Sequence, residues 1–182
     1  MKKVLLLVLA MLTIGSASAQ SYRIEGLHVQ IEKIFEDTGL SAEQCSDRMF
    51  KFYKIYYKDD LNRILREYST SLLVWESEFE HVALANMGAW EYDVEYEVRI
   101  YFKDNRMRCI ISTDKVEGRS SVMSTSYYLP EAAPIAEKHP VGKTQTTRKV
   151  AEQIFETTLK RMHSLMGSIE TIVYAKPKAD NW

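Results

Sequence analysis

Two cysteines in 182 residues, Cys45 and Cys109, are too few for a disulfide-scaffolded miniprotein, and a chain of this length buries a core without one. After the first 14 residues no long apolar run recurs, so nothing later approaches the ~20 residues a membrane helix needs. A surplus of positive charge is missing as well. The whole chain carries 24 basic and 25 acidic residues. Without Lys2 and Lys3 of the first segment the balance is 22 against 25, a formal charge of −3, which argues against nucleic acid or any generic polyanion as partner.

The residues that carry catalysis and metal binding are also scattered. His28, His81, His139 and His163 include no pair at metal-ligand spacing, and Glu80 and His81, the nearest cluster with Glu78, would point to opposite faces of a strand. No nucleophile elbow is present. Gly142-Lys143-Thr144 is the tail of a phosphate-binding loop pattern, but Glu137 occupies the position of the required first glycine and Pro140 interrupts the loop, leaving an ordinary helix start. No catalytic residue, metal ligand or cofactor is expected.

Residues 1–19 read as a secretory leader: Lys2-Lys3, an apolar run from Val4 to Ile14, and small residues from Ser16 to a cleavage point near Ala19. No cysteine follows that point, so a lipid anchor is not expected. The mature chain should be periplasmic or secreted, with no transmembrane segment. Residues 20–118 should form a sheet domain with its first helix, 119–143 a long connection, and 144–182 a C-terminal helix and tail packing on the same domain.

Leu27, Val29 and Ile31 alternate with polar residues and predict a first strand to about Phe35, broken at Asp37-Thr38-Gly39. Ser41-Ala42-Glu43-Gln44 has the form of a capping box, followed by an apolar stripe of Cys45, Met49, Phe52 and Tyr56 at helical spacing. Leu61, Ile64, Leu65 and Tyr68 continue that helix or form a second short one. From Ser69 the period becomes two, which predicts strands at 69–76, 79–87, 90–103 and 106–114. The turns fall at Glu76-Ser77-Glu78, Gly88-Ala89 and Asp104-Asn105. With a two-residue turn at Gly88-Ala89, His81 would pair with Tyr96 as a hydrogen-bonded core histidine.

The Asp104-Asn105 turn suits a tight hairpin because both residues tolerate positive φ. It sets Phe102 against Met107, Ile100 against Cys109 and Val98 against Ile111, and makes Val94, Tyr96, Val98, Ile100, Phe102, Met107, Cys109 and Ile111 the dry face. The opposite face carries Glu91, Asp93, Glu95, Glu97, Arg99, Tyr101, Lys103, Arg106, Arg108 and Ile110. A sheet with one dry face needs helices over it. Residues 119–143 hold three of the four prolines and no clean period, although Tyr127-Tyr128-Leu129-Pro130 is apolar enough to cover part of the core. Thr146 to Met166 is amphipathic, with Ala151, Phe155, Leu159, Met162 and Leu165 on one side, and Glu170 to Tyr174 could add an edge strand.

The order of strand, helix, four antiparallel strands and helix, together with "VRIYFKDNRMRCII", resembles the secreted bacterial domain-of-unknown-function family 4468. Lys103, Asp104, Arg106 and Arg108 match that family's habit of ending one long strand in Lys-Asp-Gly-Arg, with Asn105 in place of glycine and Met107 in place of an aromatic residue. The resemblance covers roughly residues 27 to 115. It implies a TATA-binding-protein-like (TBP-like) fold and a cell-envelope setting, without an activity or a cofactor.

The expected class is therefore α+β, a twisted antiparallel sheet with helices on one face. Three readings of the charged face compete. The first is a solvated surface; the second docks an envelope protein or surface glycan through Arg99, Tyr101, Lys103, Arg106 and Arg108; the third holds divalent cations. Carboxylates in line on one strand are ~7 Å apart and need help from a neighbouring strand to share an ion. Cys45 and Cys109 both point toward the helix–sheet interface, where two separately buried thiols are favoured over a bridge. The functional expectation is a non-catalytic binding or assembly module. The alternative is an enzyme or small-ligand carrier with a site between sheet and helices, under the 119–143 connection.

Overall fold

The computed structural model describes residues 22–58, 60, 63–85, 87–132 and 145–175. The leader, Leu61 and residues 133–144, which include His139, the Gly142-Lys143-Thr144 segment and the end of the proline-rich connection, lie outside those residues. Seven strands form one antiparallel sheet: β1 (Arg23–Glu25), β2 (His28–Glu36), β3 (Ile64–Tyr68), β4 (Leu72–Ala85), β5 (Trp90–Lys103), β6 (Arg106–Arg119) and β7 (Ser124–Tyr128). Their order is β1-β2-β6-β5-β4-β3, with β7 paired to β6. Two helices, α1 (Ala42–Tyr56) and α2 (Gln145–Val173), share one hydrophobic core with the dry side of the sheet. The class is α+β, as expected.

The β5–β6 hairpin has the predicted register, with Phe102 opposite Met107, Ile100 opposite Cys109 and Val98 opposite Ile111. All eight predicted dry-face residues are buried. The two-residue turn is where expected, but only Asn105 takes positive φ (+59°) and Asp104 does not, so it is not the mirror-type turn that positive φ at both residues would make. This turn also clasps the loop that precedes α1. Asp104 Oδ1 accepts the Ala42 amide at 2.9 Å, and Asn105 Oδ1 accepts the Gly39 amide at 2.8 Å. The Asn105 amide donates to the Leu40 carbonyl at 2.8 Å, and its side-chain amide donates to Asp37 at 3.2 Å. The capping box is present in both directions: the Gln44 amide reaches Ser41 Oγ, and the Ser41 amide reaches Gln44 Oε1. With Asp104 it satisfies the Ser41, Ala42 and Gln44 amides, three of those that a helix start leaves free.

Several expectations are corrected. Glu76-Ser77-Glu78 is no turn; β4 runs unbroken through it, because Ser77 faces inward opposite Tyr96 and donates to the Asp60 carboxylate while both glutamates face out. Residues 64–68 form edge strand β3 instead of helix, their period of two hidden by a bulge at Arg66. The strand after it starts at Leu72, since residues 69–71 make a tight turn closed on the Ser69 hydroxyl. Tyr53 and Tyr57, rather than Tyr56, complete the buried side of α1; Tyr56 is half exposed.

The β4–β5 connection is longer than two residues, since Ala85 pairs with Trp90. His81 accordingly does not meet Tyr96. It sits in a bulge between Phe79 and Ala83, at φ +53°, with its side chain exposed. Asp93 accepts the His81 amide on one side, and Arg161 of α2 donates to the carbonyls of Glu80 and His81 on the other. The 119–143 segment contributes strand β7 and a short 3-10 turn, Leu129–Ala132, whose Leu129 and Ala132 are fully buried. The edge strand at 170–174 is instead the last turn of α2, because Ile169 and Val173 continue the helix's buried stripe and Glu170 pairs with Lys33 at 2.6 Å.

The clasp gives a direct test. Asp104→Ala frees an amide at the start of α1 and should lower unfolding stability by about 1 kcal/mol, as loss of a helix cap does. Urea denaturation of the two proteins measures it; identical midpoints would show that the clasp adds nothing.

Candidate functional site

Three bulges shape the open face of the sheet. Arg66 is inserted in β3, residues 80–82 of β4 stand opposite Asp93 alone, and Asp114 and Lys115 of β6 stand opposite Glu95 alone. Each bulge increases local twist and bend. The face turned away from the helices is a trough of about 820 Å³ rather than a flat wall. Its sides come from five strands: His28 and Gln30 of β2, Ser112, Asp114 and Arg119 of β6, the carboxylates of β5 and β4, and Ile64 and Arg66 of β3.

Five carboxylates line the trough, Glu76, Glu78, Glu95, Glu97 and Asp114, against three guanidinium groups, Arg66, Arg99 and Arg119. The register puts like charges face to face: Glu76 opposite Glu97, Glu78 opposite Glu95, and, beside the trough, Asp93 opposite Glu117. Directly opposed like charges are destabilising. Arginines relieve most of the opposition. Arg66 pairs with Glu76 at 2.6 Å and Arg99 with Glu97 at 2.6 Å, while Arg119 reaches Glu78 at 3.3 Å and Glu117 at 3.1 Å. Among the described residues no arginine or lysine stands within ion-pair distance of Glu95.

The titration of these acids reflects that arrangement. Burial, then the nearby Glu117 carboxylate, pushes Glu95 above the usual glutamate range despite Lys115. Burial and then Asp93 push Glu78 up as well, against the pull of Arg119. Glu32 moves the other way, held down by its hydrogen bond from Arg108. Neighbouring carboxylates thus pay different electrostatic penalties across one face.

The predicted interaction residues sit elsewhere on this face, toward the Asp104-Asn105 turn. Arg106 pairs with Glu36 at 3.0 Å, and Arg108 pairs with Glu32 at 2.7 Å while its guanidinium lies 5.8 Å from the Tyr101 ring. Tyr101 and Lys103 are exposed. Of the five, only Arg99 lines the trough. The arginines are matched by acids of β2 and β5, so this end of the sheet carries little surplus positive charge.

Cys45 and Cys109 are buried, and both thiols are free. Complete burial pushes the Cys109 thiol far up, which keeps it a neutral core group instead of a nucleophile. The Tyr57 and Tyr96 hydroxyls meet at 2.7 Å in the core, and burial raises both. Among the described residues no group of three histidine, cysteine or carboxylate side chains could hold a metal ion. Sequence reasoning placed Glu95 and Glu97 on the open face but missed Glu76 and Glu78, although the alternation of Trp75, Ser77 and Phe79 with the two glutamates carried the signal.

With the geometry in place, the architecture can be compared with known proteins. A TBP-like protein from Parabacteroides distasonis superposes with a TM-score of 0.66 at 12% identity, covering 85% of this chain and 98% of its own. A DUF4468 family protein from Bacteroides ovatus gives 0.62 at 15% identity, covering 89% and 95%. The fold is TBP-like. No family model and no curated protein matches the sequence. At these identities the TBP-like likeness describes the backbone alone.

The raised carboxyls predict a pH dependence. Glu78 and Glu95 bind protons more tightly in the folded chain than in the unfolded one, so their penalty is present above the raised values and relieved as pH falls through them. Stability should therefore rise as pH falls from neutrality toward the usual glutamate value, before the opposite contribution of Glu32 is lost below that value. Glu95→Gln should flatten that rise and add roughly 0.2–1 kcal/mol at neutral pH. Thermal melts across this range check both, and a destabilised Glu95→Gln protein would contradict the assignment.

Proposed function

We propose that the chain is an exported, non-catalytic binding module of the cell envelope that receives its partner in the trough on the open sheet face. The observation that carries this reading is where the space lies. Apolar side chains fill the helix–sheet interface among the described residues, and Leu129 and Ala132 of the 119–143 connection are buried in it. The concavity and its ionisable groups are on the other side of the sheet. An enzyme or small-ligand carrier with its site between sheet and helices would need the reverse arrangement.

Two features support the setting. Residues 1–19 have the composition of a secretory leader, and no helix among the described residues is long and apolar enough to cross a membrane. Cell fractionation with N-terminal sequencing of the mature protein should find a periplasmic or secreted chain beginning near Gln20.

A photocrosslinking amino acid at Ser112, in the trough, should give a discrete adduct in intact cells. The same group at Ile55, on the exposed side of α1 beyond the helix layer, should not. Adducts of equal yield from both positions, or none from Ser112, would overturn the reading.

A further inference from the structure

We infer that the trough takes an extended basic polypeptide segment, with a lysine or arginine side chain standing over the opposed pair Glu78 and Glu95. This rests on the reading of the trough as a docking face and names the chemistry of its occupant. The first argument is charge complementarity. Three guanidinium groups answer five carboxylates. Glu95 and Asp114 are the two lining acids outside any ion pair among the described residues, and the register sets Glu95 opposite another glutamate. A cation arriving there relieves a repulsion already built into the fold, whereas an anionic partner would add to it.

The second argument is shape. The lining crosses five adjacent strands. At ~4.8 Å per spacing this is a run of roughly 19 Å, the length of about six extended residues and well beyond one small amine. Other occupants fit less well. A bound sugar normally stacks on an aromatic face, yet the one aromatic residue of the lining is Tyr96, which is buried with its hydroxyl turned to Tyr57. A divalent cation needs more ligands than the Glu78–Glu95 pair supplies, and no third donor joins them among the described residues.

The test uses the mature protein and a fluorescein-labelled peptide of about six residues in which lysine and serine alternate, read by anisotropy at low and moderate salt. Wild type should bind it with salt-sensitive affinity, and a peptide with glutamate for lysine should not bind. Glu95→Gln and Glu78→Gln should each weaken binding about five- to tenfold. Glu43→Gln, on the exposed side of α1, should leave it unchanged. Because Glu95→Gln is expected to stabilise the fold, weakened binding in that variant would not be unfolding.

Equal binding of the acidic peptide, or full affinity in Glu95→Gln, would overturn the inference. A Ser112 crosslink together with no affinity for the lysine peptide would overturn the basic occupant and leave the trough as a docking face. Absence of both would remove both.

Discussion

The bond from the Ala42 amide to the Asp104 carboxylate ties the sheet to its helix layer, and much of the architecture follows from where it fixes α1. Asp104 and Asn105 sit at the tip of the β5–β6 hairpin, and between them they hold residues 37–42 by five hydrogen bonds. The helix can then start only beside that tip, and its buried side, from Cys45 to Tyr57, lies along the dry face of β4 and β5. The Lys-Asp-Asn-Arg stretch is therefore more than a turn-former. Its Asp104 side chain is a helix cap supplied from a distant part of the chain, and its Asn105 side chain holds the loop that leads into the helix.

Once both helices cover one face, the other is left open, and the bulges decide its shape. A regular sheet with the same sequence alternation would present its carboxylates as a nearly flat, solvated array. Extra residues at Arg66, in the 80–82 stretch and at Asp114-Lys115 bend the strands around the same patch that collects Glu76, Glu78, Glu95 and Glu97. Bending brings the acids into partial burial, which is why Glu78 and Glu95 hold protons above the usual range. A lysine at either position would remove the repulsion. The retained opposition is a local stability cost of the kind that accumulates at binding surfaces.

The parts of this structure legible in the sequence are those governed by neighbours a few residues apart. The hairpin register followed from one turn and a clean alternation, and the capping box from four consecutive residues. Where a bulge shifts the phase, as at Arg66, the period of two disappears and β3 reads as helix. The Glu170–Val173 turn of α2 is rich in β-branched residues that favour strand, and burial of Ile169 and Val173 overrides that preference. The trough was out of reach for a different reason. It exists only through cross-strand partners, and mistaking Glu76-Ser77-Glu78 for a turn removed two of its four central acids.

The TBP-like fold name draws attention to a sheet face that, in TATA-binding protein, lies against DNA. The comparable open face here has the opposite electrostatic character. Affinity for nucleic acid comes mainly from lysine and arginine neutralising phosphates, and the trough in this face is lined by five carboxylates and three arginines, each arginine already bonded to an acid. Moving the basic residues at the hairpin tip does not rescue the idea, because Arg106 and Arg108 are paired with Glu36 and Glu32 of β2. What the two systems share is a curved sheet with helices behind it, a frame that offers a long concave surface. Which polymer lies along such a surface is set by the side chains at alternate positions of its strands, and here acids outnumber arginines at those positions in the trough.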